Sequence, residues 1–425
     1  MTTAIPATLK LDNAANIYPA SMSKHYCSQY RIKVTLSENI DREILQKALE
    51  TVSERIPTFR CTLKAGAFWW YLKRIDSTPV LLPLMPLKHP DFKEQKGLLY
   101  RVSAEDSCIF LDVFHALADG NGALCFLMTL AGEYIRLRYR ASIRYNRLVL
   151  DPKHRPAYFE VEDSFKTVFS GRHGQLEQNV DAYHIRGRAL PRSAVRDLRA
   201  VMQMEQIRSA CKRFDCTVTE FLTAAMLRAL QEEYRNDPSE KKRSVLKVSV
   251  PVNLRPLYDS RTVRNFSSYV NLGVDVKDGY FSFEQLVSAV KAQKAHDLQK
   301  ELLESKIAAN VELEEMFIVR MLPLALKHPI IDIINLLHGD RFCSQTLSNM
   351  GLVRLPEAMT PYVQDIDFIL GRQRGNSGAF SCVGYNGKLY LHMTRKIERN
   401  AFEQAFLQQI SSLGISFQLS LSDLA

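Results

Sequence analysis

Residues 114–120 read Phe-His-Ala-Leu-Ala-Asp-Gly and join two apolar segments of different periodicity. The residues before them, 108–114, have the length and composition of a buried strand, whereas residues 122–137 repeat apolar positions with the period of a helix. A side chain at such a strand-to-helix junction is held rigidly at the edge of a cavity, which is the placement that a general base needs. The segment therefore predicts a mixed α/β unit with His115 as its candidate catalytic base.

Asp119 and Gly120 complete this segment. We expect Asp119 to fix the turn, either through its own backbone or by pairing with a distant cation. Gly120 suits a position where the backbone adopts an unusual angle or approaches another group closely. The alternative is ordinary loop chemistry, because a histidine near a turn is often only a satisfied polar residue and Asp-Gly-Asn-Gly is a common turn sequence. The motif therefore needs support from other parts of the chain.

The chain has 425 residues, which is too many for one compact core and indicates two domains or a doubled fold. Its 46% hydrophobic and 24% charged residues are typical of a globular protein. The net charge of +10 is a moderate excess, which indicates either a solvated surface with a slight basic bias or attraction to an anionic partner, such as a nucleotide-bearing cofactor, an acidic carrier protein or an anionic membrane. Nucleic acid is not expected as a partner, because the chain has no dense basic arm with interleaved aromatic residues.

The eight cysteines are scattered, form no Cys-x-x-Cys pair and do not cluster with histidines, so no metal site is expected. The first ten residues lack the long apolar region of a secretory signal. The most apolar stretch, 316–337, is interrupted by charged residues and predicts one or two amphipathic helices rather than a transmembrane segment. Together these features predict a reducing, cytoplasmic setting.

The order of patterns along the chain predicts two similar halves. Residues 1–150 form an N-terminal half, residues 151–180 an irregular connector rich in turn signals, and residues 181–425 a C-terminal half. The expected strands are 28–37, 60–63, 67–72, 80–84, 98–104, 108–114, 180–188, 201–204, 245–254, 343–349, 363–370, 379–383 and 388–393. The expected helices are one that opens at Asp41, then 122–137, 206–214, 217–234, 281–311, 316–337 and 400–413.

Two further segments carry polar residues at the ends of predicted strands. Arg255 stands just past the strand 245–254 and before a proline, and it is either a surface cation or the partner of a distant carboxylate. Ser348 and Asn349 stand where another strand opens into a turn. Neither segment indicates a function by itself, so the order of the segments along the chain is the more informative feature.

Three motifs, 115–120, 251–255 (Pro-Val-Asn-Leu-Arg) and 348–351 (Ser-Asn-Met-Gly), resemble in order and spacing those of the condensation and coenzyme A-dependent acyltransferase superfamily. Within it the chain is most similar to the stand-alone alcohol acetyltransferases. The resemblance implies an α/β (α+β) fold of two chloramphenicol-acetyltransferase-like halves with a central tunnel.

The resemblance also implies roles for the motif residues. His115 matches the general base, and Asp119 matches an aspartate that points away from the substrates and pairs with an arginine, here Arg255. Gly120 belongs to the same structural part of the active site. Ser348 and Asn349 match a motif near the tunnel, where a hydroxyl or amide contacts the oxyanion or shapes the acceptor pocket.

At two positions the sequence departs from the motifs of other branches of this superfamily. Many condensation domains have two adjacent histidines, and the first of them is Phe114 here. Plant acyltransferases carry an Asp-Phe-Gly-Trp-Gly motif, and residues 348–351 stand roughly in its place. Both departures favour the stand-alone bacterial or fungal type.

The activity that the resemblance implies is transfer of an acyl group, above all acetyl, from acyl-CoA to an alcohol or amine. Acyl-CoA (acetyl-CoA) is then a co-substrate, and no tightly bound cofactor is expected. Two alternatives stay open: an acyl carrier protein as the thioester donor, and a non-catalytic scaffold of the same fold.

Overall fold

The computed structural model describes residues 5–23, 26, 28–87, 89–169, 174, 180–191, 194–239, 242–327, 330 and 340–422. Within these residues the strands are β1 (Thr8–Lys10), β2 (Gln29–Leu36), β3 (Cys61–Ala65), β4 (Trp70–Arg74), β5 (Leu81–Leu82), β6 (Tyr100–Glu105), β7 (Cys108–Phe114), β8 (Arg196–Gln203), β9 (Val245–Asn253), β10 (Ser267–Asp275), β11 (Gln345–Leu352), β12 (Val363–Leu370), β13 (Gly378–Tyr385), β14 (Lys388–Arg395) and β15 (Phe417–Ser422). The α-helices are α1 (Ile17–Ser21), α2 (Arg42–Arg55), α3 (Gly120–Tyr139), α4 (Ser164–Val168), α5 (Met204–Arg213), α6 (Val218–Asn236), α7 (Arg255–Tyr258), α8 (Phe283–Asp297), α9 (Lys300–Glu315), α10 (Phe317–Met321) and α11 (Ala401–Ser412).

The described strands form three sheets. The first large sheet has the order β12-β2-β7-β6-β5, and the second has the order β10-β9-β11-β13-β14-β8-β15. A small sheet has the order β1-β4-β3. Each large sheet has its own apolar core, one built mainly from N-terminal residues and the other from C-terminal residues. The arrangement of sheets and cores confirms the predicted mixed α/β fold with two halves.

Helix α3 is the centre of the first core, and its sequence explains why. Residues 122–135 are all buried, so the helix is enclosed on every side rather than amphipathic. It follows directly from β7, which is also buried along nearly its whole length. The junction between these two elements therefore lies deep in the molecule, and it carries His115 and Asp119.

One strand crosses from the C-terminal part of the chain into the N-terminal sheet. β12 pairs antiparallel with β2, with Phe368 opposite Ile32 and Leu370 opposite Tyr30. The connector is also tied to the N-terminal half, because Arg55 holds Glu160 through two hydrogen bonds of 2.6 and 2.7 Å. The boundaries near residues 150 and 180 stay a prediction. The two halves are not separate in the sheets, because β12 from the C-terminal part completes the N-terminal sheet.

Several predicted elements differ from the structure. The strand over 180–188 is wrong, because this segment makes only isolated backbone bonds, such as Tyr183 N to Val245 O at 2.7 Å. The long helical region 281–311 is two helices, α8 and α9, separated at Leu298 and Gln299. β10 and β15 were not expected at all. Of the predicted 316–337 helix, α10 covers the beginning, whereas 328–329 and 331–337 lie outside the described residues.

Among the helices that the structure describes, none is both long and apolar enough to cross a bilayer. The described residues also contain no cluster of three or more His, Cys, Asp or Glu residues able to hold a metal ion.

A buried charge network joins the two large sheets. His392 on β14 contacts Asp197 on β8 at 2.7 Å through Nδ1 and Asp367 on β12 at 2.9 Å through Nε2. Asp367 also pairs with Lys33 at 2.8 Å and with Arg199 at 2.6 Å. Burial alone would lower the pKa of His392, but the two carboxylates raise it to about 9. The imidazole is therefore a cation at neutral pH.

This network predicts a loss of stability in alkaline solution. His392 binds its proton more tightly in the folded chain than in the unfolded chain. Its contribution to the free energy of unfolding is therefore complete below about pH 6.5 and is lost as the pH rises through about 9. We expect the free energy of unfolding to fall by about 3 kcal/mol across this window. Urea unfolding at a series of pH values, for wild type and His392→Gln, measures it. Equal slopes for the two proteins between pH 6.5 and 9 would contradict the role of His392.

Candidate active site

His115 follows the last residue of β7, and two tyrosine rings hold its imidazole. Its backbone N–H donates to Ser28 O at 2.9 Å, which ties the junction to the start of β2. The ring of Tyr18 stacks on the imidazole with centroids 4.3 Å apart, and Tyr30 meets it edge-on at 5.2 Å. Tyr30 is itself fixed, since its hydroxyl donates to Ala118 O at 2.8 Å. The imidazole is therefore rigidly placed and half-buried.

Each ring nitrogen of His115 faces a polar atom. Nδ1 lies 3.1 Å from Asn265 Oδ1, and Nε2 lies 3.4 Å from the hydroxyl oxygen of Tyr18. The second distance is long for a hydrogen bond, so Tyr18 engages Nε2 only weakly. Burial lowers the pKa of His115, and the negative charge of Asp119, the backbone of His115 itself and Asn265 offset this only in part. The ring is neutral at physiological pH, as a base must be.

The carboxylate of Asp119 forms its hydrogen bonds with Gly122, Arg255 and Phe266 rather than with the imidazole. Oδ1 accepts from Gly122 N at 2.9 Å and from Arg255 Nη2 at 3.0 Å. Oδ2 accepts from Arg255 Nη1 at 2.8 Å and from Phe266 N at 2.9 Å. Burial alone would raise the pKa of Asp119, but Arg255 and the two backbone donors outweigh burial and lower it. Asp119 is thus a permanent anion that caps α3 and binds Arg255.

Arg255 is not the surface cation that its sequence position also allowed. Its side chain is only 13% exposed, and besides Asp119 it donates to Thr262 O at 2.8 Å and to Arg264 O. The guanidinium therefore organises the loop that leads into β10. The structure brings His115, Asp119, Gly120 and Arg255 into one region, although Arg255 is 136 positions from Asp119 in sequence.

Gly122, rather than Gly120, is the glycine that close packing requires. Gly120 has no left-handed backbone angle, and a methyl group on it would lie 3.4 Å from the flexible end of Met350. A methyl group on Gly122 would lie 2.0 Å from Val263 O. The absence of a side chain at Gly122 lets the start of α3 approach the loop that Arg255 organises.

Replacing Gly122 with alanine is expected to lower the free energy of unfolding by about 3 kcal/mol, because the methyl group meets backbone rather than a movable side chain. Gly120→Ala is the matched control, and we expect a change within about 1 kcal/mol for it. Chemical unfolding of both variants compares them directly. Equal unfolding free energies for the two variants would contradict the packing role of Gly122.

Ser348 and Asn349 point to opposite faces of β11. The amide of Asn349 donates to Thr219 Oγ1 at 3.0 Å, so this side chain is turned toward α6. Ser348 lies opposite Ser381 on the parallel strand β13, and Ser381 Oγ donates to Phe368 O at 2.6 Å. Directly opposite residues of a sheet share a face. Ser348 therefore lies on the face of β11 that looks toward β12 and the N-terminal sheet.

Three residues around His115 were not anticipated from the sequence: Tyr18, Tyr30 and Asn265. Tyr30 lies in a predicted strand, where an aromatic residue is typical of any core. Tyr18 and Asn265 lie in short or irregular segments with no motif. Only the three-dimensional fold brings them to the imidazole.

Comparisons with known proteins agree with this architecture. A family model described as "Alcohol acetyltransferase" matches residues 149–380, more than half of the chain. The match includes Arg255, Ser348 and Asn349 but not His115 or Asp119. No curated protein sequence matches the chain.

Solved structures show the same fold at low sequence identity. Polyketide synthase associated protein 5 from Mycobacterium tuberculosis is 14% identical, with a TM-score of 0.61 over 96% of this chain and 99% of that one. Trichothecene 15-O-acetyltransferase from Fusarium sporotrichioides is 13% identical, with a TM-score of 0.61 over 97% of both chains. The starter condensation domain of rhizomide synthetase, in complex with C8-CoA and Leu-SNAC, is 13% identical, with a TM-score of 0.61 over 96% of this chain and 94% of that one. The chain thus belongs to the alcohol acetyltransferase family and is an acyltransferase with a condensation-domain fold.

Proposed function

We propose that the protein transfers an acyl group, above all acetyl, from a coenzyme A thioester to an alcohol hydroxyl, with His115 as the general base. One observation carries this proposal: a neutral, rigidly held imidazole whose Nδ1 is engaged by Asn265 and whose Nε2 is only weakly engaged. An imidazole prepared in this way accepts a proton at Nε2 and contributes roughly 10²–10⁴-fold to a reaction rate.

The reaction then proceeds by direct transfer between two bound substrates. Nε2 of His115 takes the proton of the acceptor hydroxyl while the hydroxyl oxygen attacks the thioester carbonyl carbon. The tetrahedral intermediate collapses with cleavage of the carbon–sulfur bond, and Nε2 returns the proton to the departing sulfur. The products are an ester and the free thiol of coenzyme A. No acyl-enzyme is needed, so none of the cysteines acts as a nucleophile.

Ser348 is the proposed stabiliser of the oxyanion in this reaction. It lies on the face of β11 that looks toward the N-terminal sheet, and its hydroxyl is a hydrogen-bond donor of the kind that oxyanion sites use. Asn349, which is bound to Thr219, supports the strand that carries Ser348. Asp119 and Arg255 keep the junction in place and take no part in proton transfer.

Free acyl-CoA is the preferred donor. The net charge of +10 suits the nucleotide phosphates, and a solved neighbour with the same fold is a complex with C8-CoA. A second candidate is a thioester on an acyl carrier protein, which is favoured by the neighbour named as polyketide synthase associated. An acidic carrier would fit the same positive charge.

The test is to mix purified protein with acetyl-CoA and a panel of alcohols and amines, and to follow free thiol and acylated product together. Acetyl-N-acetylcysteamine, which lacks the nucleotide, and an acetyl-loaded carrier protein serve as matched donors. Acceptor-dependent thiol release that is strongest with acetyl-CoA supports the proposal, and preference for the loaded carrier supports the second candidate. No product with any donor would favour a non-catalytic scaffold.

A further inference from the structure

Asn265 is a buried amide that stands between the imidazole of His115 and a buried carboxylate. Its Oδ1 lies 3.1 Å from Nδ1 of His115, and its Nδ2 donates to Asp12 Oδ2 at 3.2 Å. Asn265 is 1% exposed and Asp12 is fully buried. Neither residue belongs to the motifs from which the site was predicted. The three side chains form a continuous hydrogen-bonded row from Asp12 to the imidazole.

The surroundings of Asp12 fix which way the amide of Asn265 points. Oδ1 of Asp12 accepts from Ala15 N at 2.8 Å, and Oδ2 also accepts from Asn265 N at 3.4 Å and lies 3.5 Å from the Arg264 guanidinium. Every described hydrogen-bond partner of this carboxylate is a donor, so the ionised carboxylate receives the NH₂ group of the Asn265 amide. Burial raises the pKa of Asp12 to about 7 against the opposing charge of Arg264, so the carboxylate is ionised in mildly alkaline solution.

With its NH₂ group committed to Asp12, Asn265 can offer only its carbonyl oxygen to His115. A carbonyl oxygen accepts, so Nδ1 of the imidazole must carry the hydrogen and Nε2 must carry the lone pair. We propose that Asn265, anchored by Asp12, is the positioning residue that fixes the Nδ1–H tautomer of His115. The consequence for catalysis rests on the proposed function, in which Nε2 is the proton acceptor.

The Asp119–Arg255 pair holds the backbone on both sides of Asn265. Arg255 donates to Arg264 O, and Asp119 accepts from Phe266 N at 2.9 Å. These two contacts hold the residues immediately before and after Asn265. Besides the direct effect of the Asp119 charge on the imidazole, the ion pair therefore also acts on His115 through the placement of Asn265, without contacting the ring.

The first test reads the tautomer directly and does not depend on activity. Ring nitrogens of ¹⁵N-histidine-labelled protein are observed at pH 8, and the His115 signals are assigned by their loss in His115→Ala. We expect wild type to carry its hydrogen on Nδ1, and Asn265→Ala to show a mixture with the Nε2–H form. The double variant Asp12→Asn/Asn265→Asp keeps the row of hydrogen bonds, because a carboxylate at 265 still accepts from Nδ1 and from the new amide. It should restore the Nδ1–H form.

The second test is kinetic. Asn265→Ala is expected to lower kcat about 10- to 100-fold with KM little changed, because the base samples the wrong tautomer and orientation. The double variant should recover most of this loss and move the acid limb of kcat/KM to higher pH, since a carboxylate beside Nδ1 favours the imidazolium. A simple loss of packing would not be rescued in this way.

The two proposals fail in different ways. If Asn265→Ala keeps a pure Nδ1–H ring, or if the double variant does not restore that ring, Asn265 does not fix the tautomer. If the tautomer responds as expected but His115→Ala turns over like wild type, the positioning role stands and the proposed base is wrong.

Discussion

Asp119→Ala should unfold with a free energy about 3–5 kcal/mol lower than wild type and should lose most of its acyltransferase activity. The carboxylate of Asp119 accepts four hydrogen bonds, two of them from Arg255. Its removal leaves the guanidinium of Arg255 buried without its counterion and leaves the first turn of α3 without a cap. Activity falls with stability because the same loop carries Asn265.

A double variant, Asp119→Ala/Arg255→Met, is the control for this prediction. Replacing both members of a buried pair by apolar groups typically costs less than removing one of them. We expect the double variant to be more stable than Asp119→Ala but still poorly active, because the loop is no longer held. Urea unfolding and acceptor-dependent thiol release measure the two effects. An Asp119→Ala protein that unfolds and turns over like wild type would contradict the account.

Local patterns were enough to predict much of the fold. Asp41 caps α2 by accepting from Glu43 N and Ile44 N, and Thr217 forms a capping box with Glu220 at the start of α6, as their sequences indicate. The hairpin of β13 and β14 turns at Asn386 and Gly387, which both have positive φ angles. Each of these features depends on residues only a few positions apart.

Features that depend on distant partners were not predictable in this way. β12 alternates like any half-buried strand, and nothing in its sequence says that it pairs with β2 more than 300 residues earlier. β15 was not predictable because it is short and carries exposed leucines, 419 and 421, which do not form a typical core pattern. Residues 180–188 have a strand-like sequence, but they lie beside β9 without forming a ladder.

The candidate site also contains both predictable and unpredictable residues. The pairing of Asp119 with Arg255 was implied by the resemblance to the acyltransferase superfamily, and the structure shows the two side chains in contact. Asn265 stands in a loop with no motif, 150 positions from His115, so only the fold could bring it to the imidazole. Ser348 and Asn349 were inferred together, yet strand geometry turns them to opposite faces.

The rate of acyl transfer should depend on His115 more than on any other residue. Because its Nε2 accepts the proton of the acceptor, its removal is expected to lower kcat about 10²–10⁴-fold. Burial lowers the pKa of His115 below 6.5, so the base stays unprotonated down to mildly acidic pH and the acid limb of kcat/KM should lie below pH 6.5. Stability should fall as well, because the variant loses the stacking on Tyr18 and the contact with the buried Asn265.

The central claim is tested most directly by acceptor-dependent thiol release from acetyl-CoA, measured for wild type and for His115→Ala at a temperature at which both proteins are shown to be folded. The account predicts a rate for His115→Ala that is lower by about 10²–10⁴-fold with every accepted alcohol. A variant that releases thiol at the wild-type rate would show that another group removes the proton, and it would contradict the mechanism proposed for this protein.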